Sequence, residues 1–193
     1  MNVVYQLKVT LSESSPLVWR RILVPSIIKL DELHDVIQIS MGWEDCHLFQ
    51  FIGDGISYQL PDEEDFTWSD ETTRNCQGVL LDSLLKKAGD ELSYIYDFGD
   101  EWMHTVILEK ILSPQEVQSQ IPICVDGENE CPPEDCGGIP GYAYMLQVAQ
   151  DPSHDDYDDI RDILCLEPDE DLGALKFIDL ESINKTLKYI FTH

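Results

Sequence analysis

Residues 3–11 alternate between apolar and polar side chains, the period of a strand with one face buried. A second run over residues 17–24 sets Leu17, Trp19 and Leu23 on one face, and Ser12-Glu13-Ser14-Ser15-Pro16 between the two runs reads as a turn. The period then changes. Leu30, Leu33, Ile37 and Met41 recur at spacings of three and four, which predicts a helix over residues 30–41, and Gly42 suits the left-handed position that ends one. Residues 47–52 and 56–60 form the next predicted pair of strands, turned at Gly53-Asp54-Gly55. Residues 61–78 read as an acidic loop and residues 79–87 as a short helix ending near Gly89.

The clearest hairpin follows. Leu92, Tyr94, Tyr96 and Phe98 alternate up to Gly99-Asp100, and a second alternating run extends to about residue 111. Glycine at the first central position is what a two-residue type II′ turn requires. That turn places Phe98 opposite Glu101, Asp97 opposite Trp102 and Ile95 opposite His104. Asp97, Trp102 and His104 then share one face, and Tyr94, Tyr96, Met103 and Ile107 share the core face. Beyond it, residues 113–141 read mostly as loop with a helical turn within 114–120. Residues 142–149 and 157–164 read as helices. Asp179 is the expected cap of a last helix striped by Leu180, Ile183, Leu187 and Phe191. Hairpins with helices between and after them predict an α+β fold. The expected form is an antiparallel or mixed sheet built from hairpins with helices packed on one side, as a single domain over residues 1–193.

Composition narrows the function. A hydrophobic share of 43% supports a core, and no apolar run reaches the roughly 18 residues of a membrane span. The chain opens on a strand rather than a signal segment, so a cytoplasmic location is expected. Twelve basic residues face 38 acidic ones, a net charge of −26. The acid gathers at residues 62–65, 126–135 and 151–171. Such a surface lacks the cations that duplex phosphates or an anionic membrane require, which excludes both as expected partners. A protein partner with a basic surface fits it better.

The candidate chemistry is a composite of histidine and carboxylates. Asp97 and His104 are expected to lie within reach of one another, with His47 approaching the same face. Glu134 and Asp135 lie between Pro132-Pro133 and Gly137-Gly138, and that loop is expected to fold beside the hairpin and bring a carboxylate to His104. His104, Asp97, Glu134 and Asp135 are the candidate catalytic groups, and His47, Asp97 and His104 the candidate ligands of a divalent metal. Cys124, Cys131 and Cys136 form a second, weaker candidate set, because their spacing departs from zinc knuckles and supplies only three ligands. His34, on the apolar face of its helix, is expected to be a hydrogen-bonded core residue. Arg20 and Arg21 are expected to find internal carboxylates. The run Asp155-Asp156-Tyr157-Asp158-Asp159 lacks the glycine and terminal glutamate of an EF-hand loop, and no phosphate-binding loop or nucleophile elbow is present.

Several motifs fall in an order that resembles a known family. They are Trp19-Arg20-Arg21, Leu33-His34, Met41-Gly42-Trp43 with His47-Leu48, Tyr96-Asp97-Phe98-Gly99-Asp100 with Trp102 and His104, Pro132-Pro133-Glu134-Asp135 with Gly137-Gly138, and Gly141-Tyr142. Together they resemble the ORF-three-like family of root-inducing plasmids, over roughly residues 3–190. The resemblance implies a compact α+β domain of unknown activity, associated with plasmids and mobile elements, with no established catalytic residues. A resolvase-type label carried by some members finds no support in the residues, which lack a recombinase nucleophile segment and a basic helix-turn-helix. The leading expectation is an accessory protein that binds a protein partner through its acidic surface. The alternative is a metal-dependent hydrolase or nuclease-like enzyme built on the histidine–carboxylate set.

Overall fold

The computed structural model describes residues 3–61 and 72–192. Eight strands form one mixed sheet: β1 (Val4–Leu11), β2 (Trp19–Pro25), β3 (Phe49–Gly53), β4 (Ile56–Gln59), β5 (Thr73–Asn75), β6 (Glu91–Tyr96), β7 (Trp102–Leu112) and β8 (Ile123–Glu128). Their spatial order is β5-β4-β3-β6-β7-β1-β2-β8. The β4–β5 pair is parallel and the other neighbours are antiparallel. Five α-helices lie among the described residues: α1 (Leu30–Met41), α2 (Leu81–Leu84), α3 (Gly138–Val148), α4 (Tyr157–Ile163) and α5 (Leu180–Thr192). The architecture is α+β.

Register explains the core. Leu7, Val9 and Leu11 of β1 lie opposite Leu108, Val106 and His104 of β7, and Tyr94 and Tyr96 of β6 lie opposite His104 and Trp102. All of these are buried, so one face of the sheet carries a continuous apolar layer. Along β2 and the residue before it, Val18, Arg20, Ile22 and Val24 face the core, whereas Leu17 is exposed and Trp19 half-buried; Leu23 is buried as well. Helix α1 covers the layer over β3 and β6. The His34 ring stacks on Phe49 at 3.6 Å, and its Nδ1 and the Gln38 amide both meet the Tyr94 hydroxyl, at 2.8 and 2.9 Å. Gly42 ends α1 at φ 94°, its N–H bonded to the Gln38 carbonyl. Helix α5 packs on β8, where Asn184 makes two 2.8 Å bonds to the Cys124 backbone. The Asp179 carboxylate accepts the Ser182 N–H at 2.9 Å, the expected cap.

The structure departs from the sequence reading in five places. Strand β8 falls within the stretch read as loop and pairs with β2. Strand β5 lies within the predicted acidic loop, of which residues 62–71 fall outside the described part. Helix α3 begins at Gly138 rather than Tyr142, and α2 keeps only four residues. The hairpin turn is also longer than two residues: Tyr96 faces Trp102, Ile95 faces Met103 and Tyr94 faces His104. Gly99 does not take a positive φ, whereas Asp97 (φ 56°) and Glu101 (φ 53°) do. Asp97 accepts the Glu101 N–H on its carbonyl at 2.7 Å, closing a five-residue loop. The register therefore slips by one, which exchanges the faces of β7. Trp102 and His104 join Tyr94 and Tyr96 in the core, and Met103 turns outward.

Candidate functional site

The site forms where three segments meet at the hairpin tip. The first is the turn. Asp97 leaves β6 in the left-handed region, which aspartate tolerates better than most residues. Its N–H donates to the Leu48 carbonyl at 2.9 Å, and its Oδ1 accepts the Gly99 N–H at 2.8 Å. One carboxylate oxygen is thus committed to the turn, leaving Oδ2 directed at His47. The second segment precedes β3. His47 Nε2 lies 3.7 Å from Asp97 Oδ2. Its ring meets Tyr96 edge-on at 5.8 Å.

The third segment is the Pro132–Gly138 loop, which folds back onto the hairpin. The Gly137 N–H donates to the Asp100 carboxylate at 3.0 Å. Gly138, at φ 67°, lies so close to the Asp100 carbonyl that a β-carbon there would come within 2.4 Å of its oxygen. At the loop's entry the Trp43 indole N–H donates to the Pro132 carbonyl at 3.0 Å. The Tyr96 hydroxyl donates to one Glu134 oxygen, and the other accepts the Glu44 N–H at 3.3 Å. These ties carry Asp135, at φ 56°, to the histidine, with its Oδ1 at 3.2 Å from His47 Nε2.

His47, Asp97 and Asp135 each present one ligand atom, and the three atoms lie within 4.8 Å of one another. The His47 Nε2 atom is shielded from solvent yet, among the described residues, has no hydrogen-bond partner, although two carboxylate oxygens lie 3.7 and 3.2 Å away. A buried acceptor or donor without a partner is rare and points to something unfilled beside it. One imidazole with two carboxylates is a mixed donor set suited to Mn²⁺, Fe²⁺ or Zn²⁺.

The other candidates do not join this set. His104 is 1% exposed, lies edge-on to Trp43 at 5.2 Å, and among the described residues has no well-formed hydrogen bond at either ring nitrogen. Burial drives its pKa down to about 4, against a smaller upward pull from the Tyr94 and Trp102 backbone. The expected Asp97–His104 pair is therefore corrected: the register slip takes His104 into the core, and His47 takes its place beside the loop. Glu134 is near, but both its oxygens are engaged, so it fixes the loop. Among the described residues, Cys124, Cys131 and Cys136 enter no close ligand group. Burial raises their thiols to about 11, 12 and 11, which keeps them neutral, and all six cysteines are free.

His34 also lies near carboxylates, Asp35 and Asp45. Both its nitrogens are occupied, Nδ1 by Tyr94 and Nε2 by Asp45 at 2.7 Å, so it is a hydrogen-bonded core residue. Arg21 finds the expected carboxylates, Glu109 at 2.7 Å and Asp126 at 2.6 Å. Arg20 does not. Its guanidinium donates to the carbonyls of Ser40, Trp19 and Asn129 at 2.8, 2.9 and 2.8 Å. Sequence reasoning missed Tyr96 and Glu44 as the braces of the loop; the alternation that marks Tyr96 as core gives no hint that its hydroxyl reaches a loop 38 residues away.

Fold and ligand geometry together define an α+β protein with a candidate cation centre at a hairpin tip. The chain belongs to the family described as Plasmid pRiA4b ORF-3-like protein, whose pattern matches residues 3–176. It is 35% identical over 177 residues to the uncharacterized protein y4hQ of Sinorhizobium fredii (strain NBRC 101917 / NGR234), covering 92% of this chain and 88% of that one. Among solved structures it is similar to a protein of unknown function, MM3350 from Methanosarcina mazei Go1. That likeness has a TM-score of 0.77 at 33% identity and covers 94% of this chain and 97% of the other. Among the described residues no helix is long and apolar enough to cross a membrane.

Proposed function

We propose that this chain binds a divalent metal ion at His47, Asp97 and Asp135 and that the centre serves metal-assisted hydrolysis. The observation that carries the reading is the convergence of two carboxylate oxygens, from two further segments, on a buried imidazole nitrogen that has no hydrogen-bond partner among the described residues. Three protein ligands with room for more is the pattern of catalytic rather than structural centres. A cation held there would supply Lewis acidity and activate a bound water. The chain's own part is positional: Asp97 is locked by its turn, and Asp135 is held by the ties of its loop to Asp100, Tyr96 and Trp43. The plasmid origin in the family's description suits an accessory activity carried on mobile elements.

Isothermal titration of chelator-treated protein with MnCl₂ and ZnSO₄, checked by elemental analysis, tests the reading. One equivalent is expected to bind. Asp97→Asn and His47→Gln should each weaken it at least about tenfold, as losing a direct ligand does where even its supporting partners are worth 10–100-fold. His104→Leu should leave it unchanged. Absence of binding, or binding indifferent to Asp97 and His47, would refute the centre.

A further inference from the structure

Beside the candidate centre runs an open groove of about 710 Å³, between the Pro132–Asp135 stretch, the end of α1 and the segments around α4 and α5. Its lining is mixed, and Trp43, Pro132, Ile163 and Phe177 supply the large apolar part of it. Ile163 is 53% exposed and Phe177 69% exposed, large apolar surfaces that the fold itself leaves uncovered. Apolar patches rimmed by polar residues mark binding surfaces more often than chance exposure does. The rim here has one sign. Glu44, Glu130, Glu134, Asp135 and Asp179 line the same groove. Arg20, the single basic residue among its described lining, is 2% exposed and turned inward onto backbone carbonyls, so it offsets the rim without offering itself to a ligand.

We infer that this groove docks a segment of a partner protein in which apolar side chains are flanked by lysine or arginine. The inference stands whether or not the neighbouring centre binds a metal. Charge complementarity selects the occupant. A second copy of the chain would bring another net charge of −26 to an acidic rim, and a nucleic acid would bring phosphates. A basic, partly apolar segment places its side chains against Trp43 and Phe177 while its cations meet the rim carboxylates. Glu134 and Asp135 line the groove and also brace or form the candidate centre, so a docked segment lies next to it.

Selection from a random displayed-peptide library on the intact protein tests this. Enriched peptides should combine lysine or arginine with aromatic or aliphatic residues. Their affinity for Phe177→Ser should fall about tenfold, the loss typical of an apolar anchor. Glu44→Gln should weaken them by a smaller factor and flatten their salt dependence. Phe177 is mostly exposed, so its variant keeps the fold, which circular dichroism verifies. Asp155→Asn/Asp158→Asn, equally acidic but away from the groove, should change nothing. No enrichment, peptides without basic residues, or binding that survives Phe177→Ser while falling with Asp155→Asn/Asp158→Asn would overturn the proposal. Metal titration of the same Phe177→Ser protein should be unaltered, which separates the groove from the centre.

Discussion

His104 makes a measurable liability of the core. Its imidazole is enclosed among Trp43, Tyr94 and Trp102 with no well-formed hydrogen bond to the described residues at either nitrogen, and burial lowers its pKa to about 4 against a smaller upward pull from the neighbouring backbone. In the unfolded chain the same side chain titrates near the ordinary histidine value of about 6.5. The folded state therefore refuses a proton that the unfolded state accepts. Stability is unaffected above the unfolded pKa and is lost as pH falls from about 6.5 toward 4. At pH 5 the unfolded side chain is almost wholly protonated and the folded one about one-tenth, which costs the fold about 2 kcal/mol relative to pH 7.

Other groups titrate in the same interval. Burial and Asp45, Asp31 and Glu32 raise Asp35 to about 6, which favours the folded state on acidification, and His34 is lowered by burial against the pull of Asp45. A comparison with His104→Leu removes these shared contributions. Urea unfolding of both proteins across pH 7 to 5 should show the gap between them widening by about 2 kcal/mol in favour of the variant. At pH 7 the variant should match or exceed the parent, because it replaces buried nitrogens that make no well-formed hydrogen bond to the described residues with apolar atoms. Parallel pH profiles would refute the argument, since they would mean that the folded core holds His104 with an ordinary pKa.

Three further predictions rest on contrasts within the fold. Gly138→Ala should destabilise by at least about 2 kcal/mol, a fall of several degrees in melting temperature, because its β-carbon meets the Asp100 carbonyl at 2.4 Å; Gly89→Ala, at φ 93° with open space around it, should lose only about 1 kcal/mol. Arg20→Met strands the carbonyls of Ser40, Trp19 and Asn129 and should cost about 2–5 kcal/mol in urea unfolding, whereas Arg21→Met, whose ion pairs are partly exposed, should cost about 1 kcal/mol or less. Duplex DNA should show no salt-sensitive association in a fluorescence titration at physiological ionic strength, since the chain lacks clustered cations to neutralise phosphates, and a steep loss of binding with added salt would contradict this.

The elements that could be read from sequence are those whose own residues dictate them. Helix α1 carries its stripe and its terminal glycine within thirteen positions, and α5 carries its cap and apolar stripe. Strand β8 was hidden because Ile123-Cys124-Val125-Asp126-Gly127-Glu128 buries chiefly Cys124. Its conformation is imposed by pairing with β2, which lies a hundred residues earlier. Helix α3 was misjudged at its start because Gly137-Gly138 resembles a loop. The glycines are needed there for the close approach to Asp100 and for positive φ, and Pro140 in the first turn forfeits an N–H that has no helical partner anyway.

The candidate centre depended on one decision about register, and the relevant signal lay in Asp97 rather than Gly99. A two-residue turn needs glycine in the left-handed region, but an aspartate two residues before a glycine offers another solution. Its carboxylate caps the glycine N–H and it takes the left-handed conformation itself, as Asp97 does. Choosing the glycine keeps β6 two residues longer and β7 one residue longer, and turns His104 toward Asp97. Choosing the aspartate ends β6 at Tyr96, pairs it with Trp102 and sends His104 inward. The same choice frees Asp97 from the ladder, so that its second oxygen faces the histidine before β3. The histidine–carboxylate chemistry inferred from the hairpin and loop residues thus reappears with His47 in place of His104. A side chain at a strand's end can be supplied by a neighbouring strand, whereas the turn that fixes the register cannot.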